Sequence, residues 1–376
     1  MLQRPVVSES PAKHLASEAG ELPVHFFAPS ALEARLRTFK DHFPAVVTYA
    51  VKANPADHVI SQLWAGGLDG FDVASPDEIA LIRRLCPGAA MHYNNPVRSR
   101  AEIRFGVEAG VVSWSVDDMG ELEKLISCGV PQANEVAVRF KLPVAGGAYN
   151  FGAKFGATEE EATALLRRVA EAGFRPAMTF HVGTQSKDPQ AFASYIAAAA
   201  RIAKEAGVTI GRLNVGGGFP AGRDGQPVDL MPFFAAIAKA TEAFETRPIL
   251  VCEPGRGMVA DSFAYAVQVK SVRAGRVYLN DGVYGGLAEF PSMVISLHTV
   301  VGQMGEAREC ARQPMTVFGP TCDSIDQLPG TLELPVDLTE GDWILFRSMG
   351  AYLTGMTTRF NGYGDWQTVT VQSLWP

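Results

Sequence analysis

Cysteine is sparse in this sequence, and what there is excludes two classes of scaffold. Cys86, Cys128, Cys252, Cys310 and Cys322 are odd in number, scattered, and nowhere spaced as CxxC, which argues against a disulfide framework and against a zinc site. No uncharged apolar stretch reaches membrane-spanning length, and polar Ser8 to Lys13 stands where a secretory leader needs an apolar core, so the expected location is the cytoplasm. Long basic runs are missing as well. With a net charge of -7, nucleic acid and anionic membrane surfaces are poor candidates as partners. The P-loop lysine pattern is absent and no GxGxxG opens a helix after a first strand, so neither a nucleoside triphosphate nor a dinucleotide is favoured.

Apolar residues, by contrast, make up 47% of the 376 positions, enough for large cores in a chain too long for one. After a polar start, Val24 to Phe27 reads as a short strand, and Pro29 opens a helix with Leu32, Leu36 and Phe39 at helical spacing. Short apolar runs follow at Val46 to Val51, Gly70 to Ala74, Ala90 to Tyr93, Val112 to Val116, Glu135 to Phe140, Ala177 to His181, Arg212 to Val215 and Pro248 to Cys252. Amphipathic patterns such as Asp77 to Leu85, Met119 to Ser127, Thr158 to Ala172, Ala191 to Ala206 and Met231 to Ala243 lie between them. Strand and helix in alternation predict a (β/α)8 barrel over residues 28–262. Beyond about Asp261 the runs Phe263 to Val272, Arg276 to Leu279, Val294 to Val301, Met315 to Phe318, Trp343 to Arg347 and Thr368 to Leu374 have little helix between them. They predict a β-rich domain of residues 263–376, discontinuous if residues 1–27 join it.

A barrel of this kind gathers its active site at the C-terminal strand ends. Those ends carry Lys52, Asp72, Arg139, His181, the triplet Gly216-Gly217-Gly218, and Glu253. Lys52 follows an apolar strand and precedes Pro55. It is either a lysine snorkelling at the rim or an amine held in a partly desolvated pocket to attack a carbonyl. The glycine triplet fits a tight turn as well as a phosphate cradle. Glu253-Pro-Gly-Arg256 reads as a Pro-Gly turn with solvated charges, or as a carboxylate for a protonated ring nitrogen with Gly255 and Arg256 beside a phosphate. His181 is a structural histidine or a group stacked on a flat ring, with Thr184 offering a hydroxyl to phosphate. In the second domain Cys322 and Asp323 are a buried thiol and a loop carboxylate, or a proton donor and a receptor for a cationic group. Tyr352 is either core packing or another phosphate hydroxyl.

Taken in order, Tyr-Ala-Val-Lys-Ala-Asn, Phe-Asp-Val-Ala-Ser, Lys-Phe-Gly, His-Val-Gly-Thr-Gln, Gly-Gly-Gly-Phe-Pro, Glu-Pro-Gly-Arg, Gly-Pro-Thr-Cys-Asp-Ser-Ile-Asp, Gly-Ala-Tyr and Arg-Phe-Asn-Gly-Tyr-Gly resemble the fold-type III pyridoxal phosphate decarboxylases. That group acts on ornithine, lysine, arginine and diaminopimelate, and the resemblance covers nearly the whole chain. It implies Lys52 as the Schiff-base lysine, His181 against the pyridine ring and Glu253 at the ring nitrogen. Thr184, Gly217, Gly218, Gly255, Arg256 and Tyr352 would bind phosphate, with Asp72 and Arg139 in support. It further implies a homodimer in which Cys322, the proton donor, and Asp323 act in the partner's site, with Phe360 flanking the substrate and Lys154 and Asp326 forming an inter-subunit ion pair. Asp323 suits a distal ammonium, so the nearest resemblance is to ornithine decarboxylases, with putrescine as product and lysine as second substrate. Two departures stand out: Thr184 where the family commonly has serine, and no obvious second acidic substrate contact after Asp281-Gly-Val-Tyr-Gly-Gly286, unless Glu289 serves. A decarboxylase of a D-amino acid or of a specialised secondary metabolite, an amino-acid racemase, and a catalytically silent regulatory homologue are the alternatives. Glu253 and the presence of both Lys52 and Cys322 count against the last two.

Overall fold

The computed structural model describes residues 7–142, 154–223, 228–293 and 295–374. Two compact units emerge, one of residues Arg35–Pro220 and Val228–Met258, the other of Met1–Ala34, Ala221–Pro227 and Val259–Pro376. In chain order the strands are β1 (Val7–Ser8), β2 (Val24–Phe27), β3 (Val46–Ala50), β4 (Gly70–Val73), β5 (Ala90–Tyr93), β6 (Ser113–Val116), β7 (Glu135–Arg139), β8 (Arg175–Thr179), β9 (Arg212–Asn214), β10 (Ile249–Cys252), β11 (Phe263–Arg273), β12 (Arg276–Leu279), β13 (His298–Val301), β14 (Arg312–Phe318), β15 (Leu332–Pro335), β16 (Trp343–Arg347) and β17 (Gln367–Val371).

In the first unit β3 to β10 form a closed parallel barrel. Ala50 stands opposite Asp72, Asp72 opposite His92, Arg139 opposite Thr179 and Thr179 opposite Asn214. The ring closes where Val251 pairs with Val46. Strands covered on both faces bury every side chain, as β4 and β6 do, so that even Asp72, Ser113 and Ser115 lie in the interior. The helices between them begin on firm caps. Ser75 Oγ accepts from Glu78 N at 3.3 Å with Pro76 in the first turn, and Ser99 with Glu102 and Thr158 with Glu161 make reciprocal capping boxes. Acidic first turns and basic last turns, as in Pro76–Leu85, suit the helix dipole. The Ser75 cap lies two residues after β4, so the connection there is short, whereas the helix capped by Thr158 follows β7 only after a long connection.

The second unit is a nine-stranded mixed sheet. β2 runs antiparallel to β11 and parallel to β17, so the strand from the N-terminus does join it. β11 alternates strictly: Ala264 and Ala266 enter a core with Val24, Phe26, Trp343 and Val369, while Tyr265, Val267 and Val269 enter another with Leu279, Phe290, Ile344 and Phe346. Two buried faces give an apolar run over residues 263–267 of this strand in an antiparallel setting. Elements not expected from the sequence are β15, β1 and a helix over Pro11–Ser17, whose cap is Ser10. The strand expected over Val294 to Val301 is confined to β13, and Val294 lies outside the described residues.

Candidate active site

β3 ends at Ala50, and the chain then makes a 3-10 turn over Val51–Ala53 that carries Lys52 to the open end of the barrel. Lys52 is solvent-exposed, unlike the partly desolvated amine expected for it, because the turn lifts it clear of the strand's buried row. Its field nonetheless reaches Asp72, Glu78, Glu253 and His181.

Glu253 follows β10 directly and is 8% exposed. Burial, and then repulsion by Asp72, push its carboxyl up to about 8, against a hydrogen bond from Asn214 and the charges of Lys52 and Arg139. Asn94 and Asn214 both donate to its Oε1. Asp72, buried, is also raised by desolvation, which Lys52, an Asn94 hydrogen bond and Arg139 counter. Arg139 is lowered by burial against Glu253, Asp117 and Asp72, and its guanidinium lies 5.1 Å from the Phe155 ring centroid. The mouth thus holds two carboxyls that cannot both ionise cheaply, beside a lysine and an arginine.

His181 follows β8 and is held neutral: burial, then Lys52 and Arg139, lower it to about 3. Gly183 N–H donates to its Nδ1 at 3.0 Å, which assigns the ring proton to Nε2. The Gly216-Gly217-Gly218 loop passes close by. Gly216 and Gly218 have φ of +68° and +90°, and a Cβ there would collide with the carbonyls of Phe180 and Gly183. A Cβ on Gly217 would come within 2.8 Å of Glu253 O and 3.5 Å of His181 Nε2. Gly255 packs its bare Cα against Ala53 and Ala50, and Arg256, buried, opens the helix Arg256–Val259. Thr184 is half-buried in the loop between His181 and Ser186, whose N–H binds Gly218 O. A flat ring bearing an anionic group fits this set: a lysine, a neutral imidazole, a buried acid with one oxygen open, and a side-chain-free loop.

Of the remaining expected residues, all but Lys154 belong to the sheet unit. Cys322 is exposed, its N–H bound to Asn361 Oδ1. Asp323 accepts from Tyr284 Oη at 2.6 Å and from Ile325 N, and the Tyr284 hydrogen bond, the larger cause, lowers its carboxyl. Phe360, 41% exposed, lies 4.8 Å from the Tyr284 ring. Tyr352 is half-buried in a left-handed conformation, φ +64°. Asp326 is 1% exposed and accepts from Val283 N, Thr321 N and Thr321 Oγ1, so its carboxylate ties two loops of its own chain. Lys154, in the barrel unit, lies 4.9 Å from the Phe155 ring. Glu289 is not the spare acid supposed for it, since it pairs at 3.3 Å with the buried guanidinium of Arg223.

Residues 30–260 match the family model described as the pyridoxal binding domain of pyridoxal-dependent decarboxylases. The chain belongs to this family. It is 32% identical to the lysine/ornithine decarboxylase of Selenomonas ruminantium, over 95% of this chain and 91% of that one. The arginine decarboxylase of Paramecium bursaria Chlorella virus, solved with agmatine, superposes with a TM-score of 0.85 at 26% identity, covering 96% of this chain and 98% of that one. Lysine/ornithine decarboxylase from Vibrio vulnificus, solved with cadaverine, gives 0.82 at 27%, with 96% and 97% covered. This decarboxylase therefore uses pyridoxal phosphate. No helix among the described residues is long and apolar enough to cross a membrane.

Asn94, Asn214, Glu78 and Tyr284 were not singled out from the sequence. Asn94 follows β5 as Glu253 follows β10, so position alone marks it, but an uncharged amide after an apolar run gives no chemical signal. Glu78 accepts from Ala74 N at 2.6 Å, and burial raises it to about 7.

Proposed function

We propose that this decarboxylase converts L-ornithine to putrescine, with lysine as its second substrate, and that it works as a homodimer with shared active sites. Bound pyridoxal phosphate supplies the electron sink for the pair left when carboxylate departs. Lys52 would hold the cofactor at its carbonyl carbon. His181 offers its neutral ring face to the pyridine, and Glu253 keeps a proton at the ring nitrogen. The N–H groups of Gly217, Gly218 and Gly255, with Arg256, Thr184 and Tyr352, hold the phosphate, while Asp72 and Arg139 set the charge around Lys52. From the partner, Cys322 delivers the proton to Cα, Asp323 pairs with the distal ammonium and Phe360 flanks its methylene chain.

The observation that carries the substrate assignment is Asp323, kept anionic by the Tyr284 hydroxyl. With Glu289 already paired to Arg223, an anionic receptor favours a terminal ammonium over a terminal carboxylate. Carbon dioxide release from ornithine, lysine, arginine and diaminopimelate, in both enantiomers, is the test. We expect kcat/KM to be highest for L-ornithine, and Asp323→Ala to raise KM about tenfold or more. A preference for diaminopimelate, or an Asp323→Ala enzyme with unchanged KM, overturns the assignment.

A further inference from the structure

Glu253 has two carboxylate oxygens in very different circumstances. Oε1 receives the side-chain amides of both Asn94 and Asn214, while Oε2 accepts no hydrogen bond among the described residues, although the side chain is 8% exposed. Both residues are themselves held in place. Asn214 Oδ1 accepts from Gly216 N at 2.8 Å, which leaves only its NH2 to face Glu253. The Asn94 backbone is pinned on two sides, its N–H to Val73 O and its carbonyl accepting from Ser115 Oγ at 2.8 Å. One asparagine thus follows β5 and the other ends β9, and they converge on an acid that follows β10.

We infer that Asn94 and Asn214 are positioning residues that clamp Oε1 of Glu253, so that Oε2 is the oxygen presented to the ring nitrogen of the cofactor. The inference rests on the assignment of Glu253 to that nitrogen. Neutral donors suit the task. A lysine or arginine at either position would neutralise the carboxylate, and an acid would repel it, whereas an amide orients it and leaves its negative charge for the ring. Asn214 also couples two parts of the site, because the same side chain grips the first residue of the glycine loop and the ring-nitrogen acid. A shift of that loop would be felt at Glu253.

Two substitutions separate orientation from bulk. Asn94→Leu keeps the branched heavy-atom outline of the side chain and removes the donor, and Asn214→Asp keeps the oxygen that Gly216 needs while exchanging the donating NH2 for an acceptor. Each variant, with Glu253→Gln alongside, is titrated as apoprotein with pyridoxal phosphate, scanned for the visible band of the bound cofactor, and assayed for carbon dioxide release. We expect each asparagine variant to lose about tenfold to a hundredfold in kcat, with KM changed less than about threefold. We also expect weaker cofactor binding and a displacement of the visible band in the direction that Glu253→Gln moves it. An unchanged band and unchanged kcat in both asparagine variants, with Glu253→Gln impaired, overturn the inference alone. A Glu253→Gln enzyme with normal band and kcat overturns the assignment of Glu253 as well. Thermal unfolding of the apoproteins checks that they fold, and Asn94→Ala carries the same measurements if Asn94→Leu does not.

Discussion

At Glu253 the cofactor-free protein holds a carboxyl that burial makes hard to ionise. Its folded-state value of about 8 lies above the ordinary 4.5, so the native chain binds a proton there that the unfolded chain releases. Stability contributed by the protonated acid is present in full below about pH 4.5 and is lost as pH rises through 8. Glu253→Gln, which cannot ionise, is therefore expected to melt higher than the parent apoprotein at pH 8.5, by an amount worth a few kcal/mol at most, on the order of the pKa displacement. The difference should close toward pH 5, as followed by thermal unfolding across that range. A constant gap would mean that the acid is not the group responsible. The same instability suits the role proposed for Glu253, since a cationic ring nitrogen would give the buried carboxylate a charge partner.

Among the elements of the candidate site, the loop from Gly216 to Gly218 carries a strict backbone requirement. Gly218→Ala brings both a left-handed φ and a collision with the Gly183 carbonyl, so it should weaken pyridoxal phosphate binding by about tenfold or more and cost at least about 1 kcal/mol. Gly207→Ala is the natural control. It ends the helix Pro189–Ala206 at φ +67°, with nothing within 4 Å of a new Cβ, and should cost only the left-handed strain, about 1 kcal/mol, while leaving cofactor affinity alone, as read by titration of the apoproteins. The loop was legible in the sequence because three glycines after an apolar strand are conspicuous. The barrel strands were legible for a related reason, since burial on both faces removes polar residues and leaves the charged strand ends exposed to view. What stayed hidden has no such contrast. Asn94 and Asn214 are uncharged, β15 is a Leu-Glu-Leu-Pro segment whose two buried leucines look like a loop's, and the helix Pro11–Ser17 sits in a polar stretch. The bond from Tyr284 to Asp323, like the pairing of Glu289 with Arg223, joins residues 39 or 66 positions apart. Distances of that kind are decided by the fold and leave no local pattern.

For the whole molecule, the residues of the proposed chemistry are divided between units. Lys52, His181 and Glu253 belong to the barrel unit, and Cys322, Asp323 and Phe360 to the sheet unit. Cys322 and Phe360 are exposed in the single chain, as residues that serve a neighbouring subunit need to be. In the proposed two-fold dimer every site draws its lysine from one subunit and its Cys-Asp loop from the other, which a mixing experiment can read directly. Lys52→Ala and a Cys322→Ala/Asp323→Ala double variant should each be nearly inactive as purified homodimers. If the two are mixed and allowed to exchange subunits, half of the dimers are mixed. One site in each mixed dimer combines an intact Lys52 with an intact loop, so about a quarter of the wild-type activity should return. Recovery must also depend on subunit exchange: it should grow with incubation and be absent when the variants are combined only at the moment of assay. A mixture that stays inactive after exchange, with size-exclusion and labelling data showing that mixed dimers have formed, would mean that each chain completes its own site.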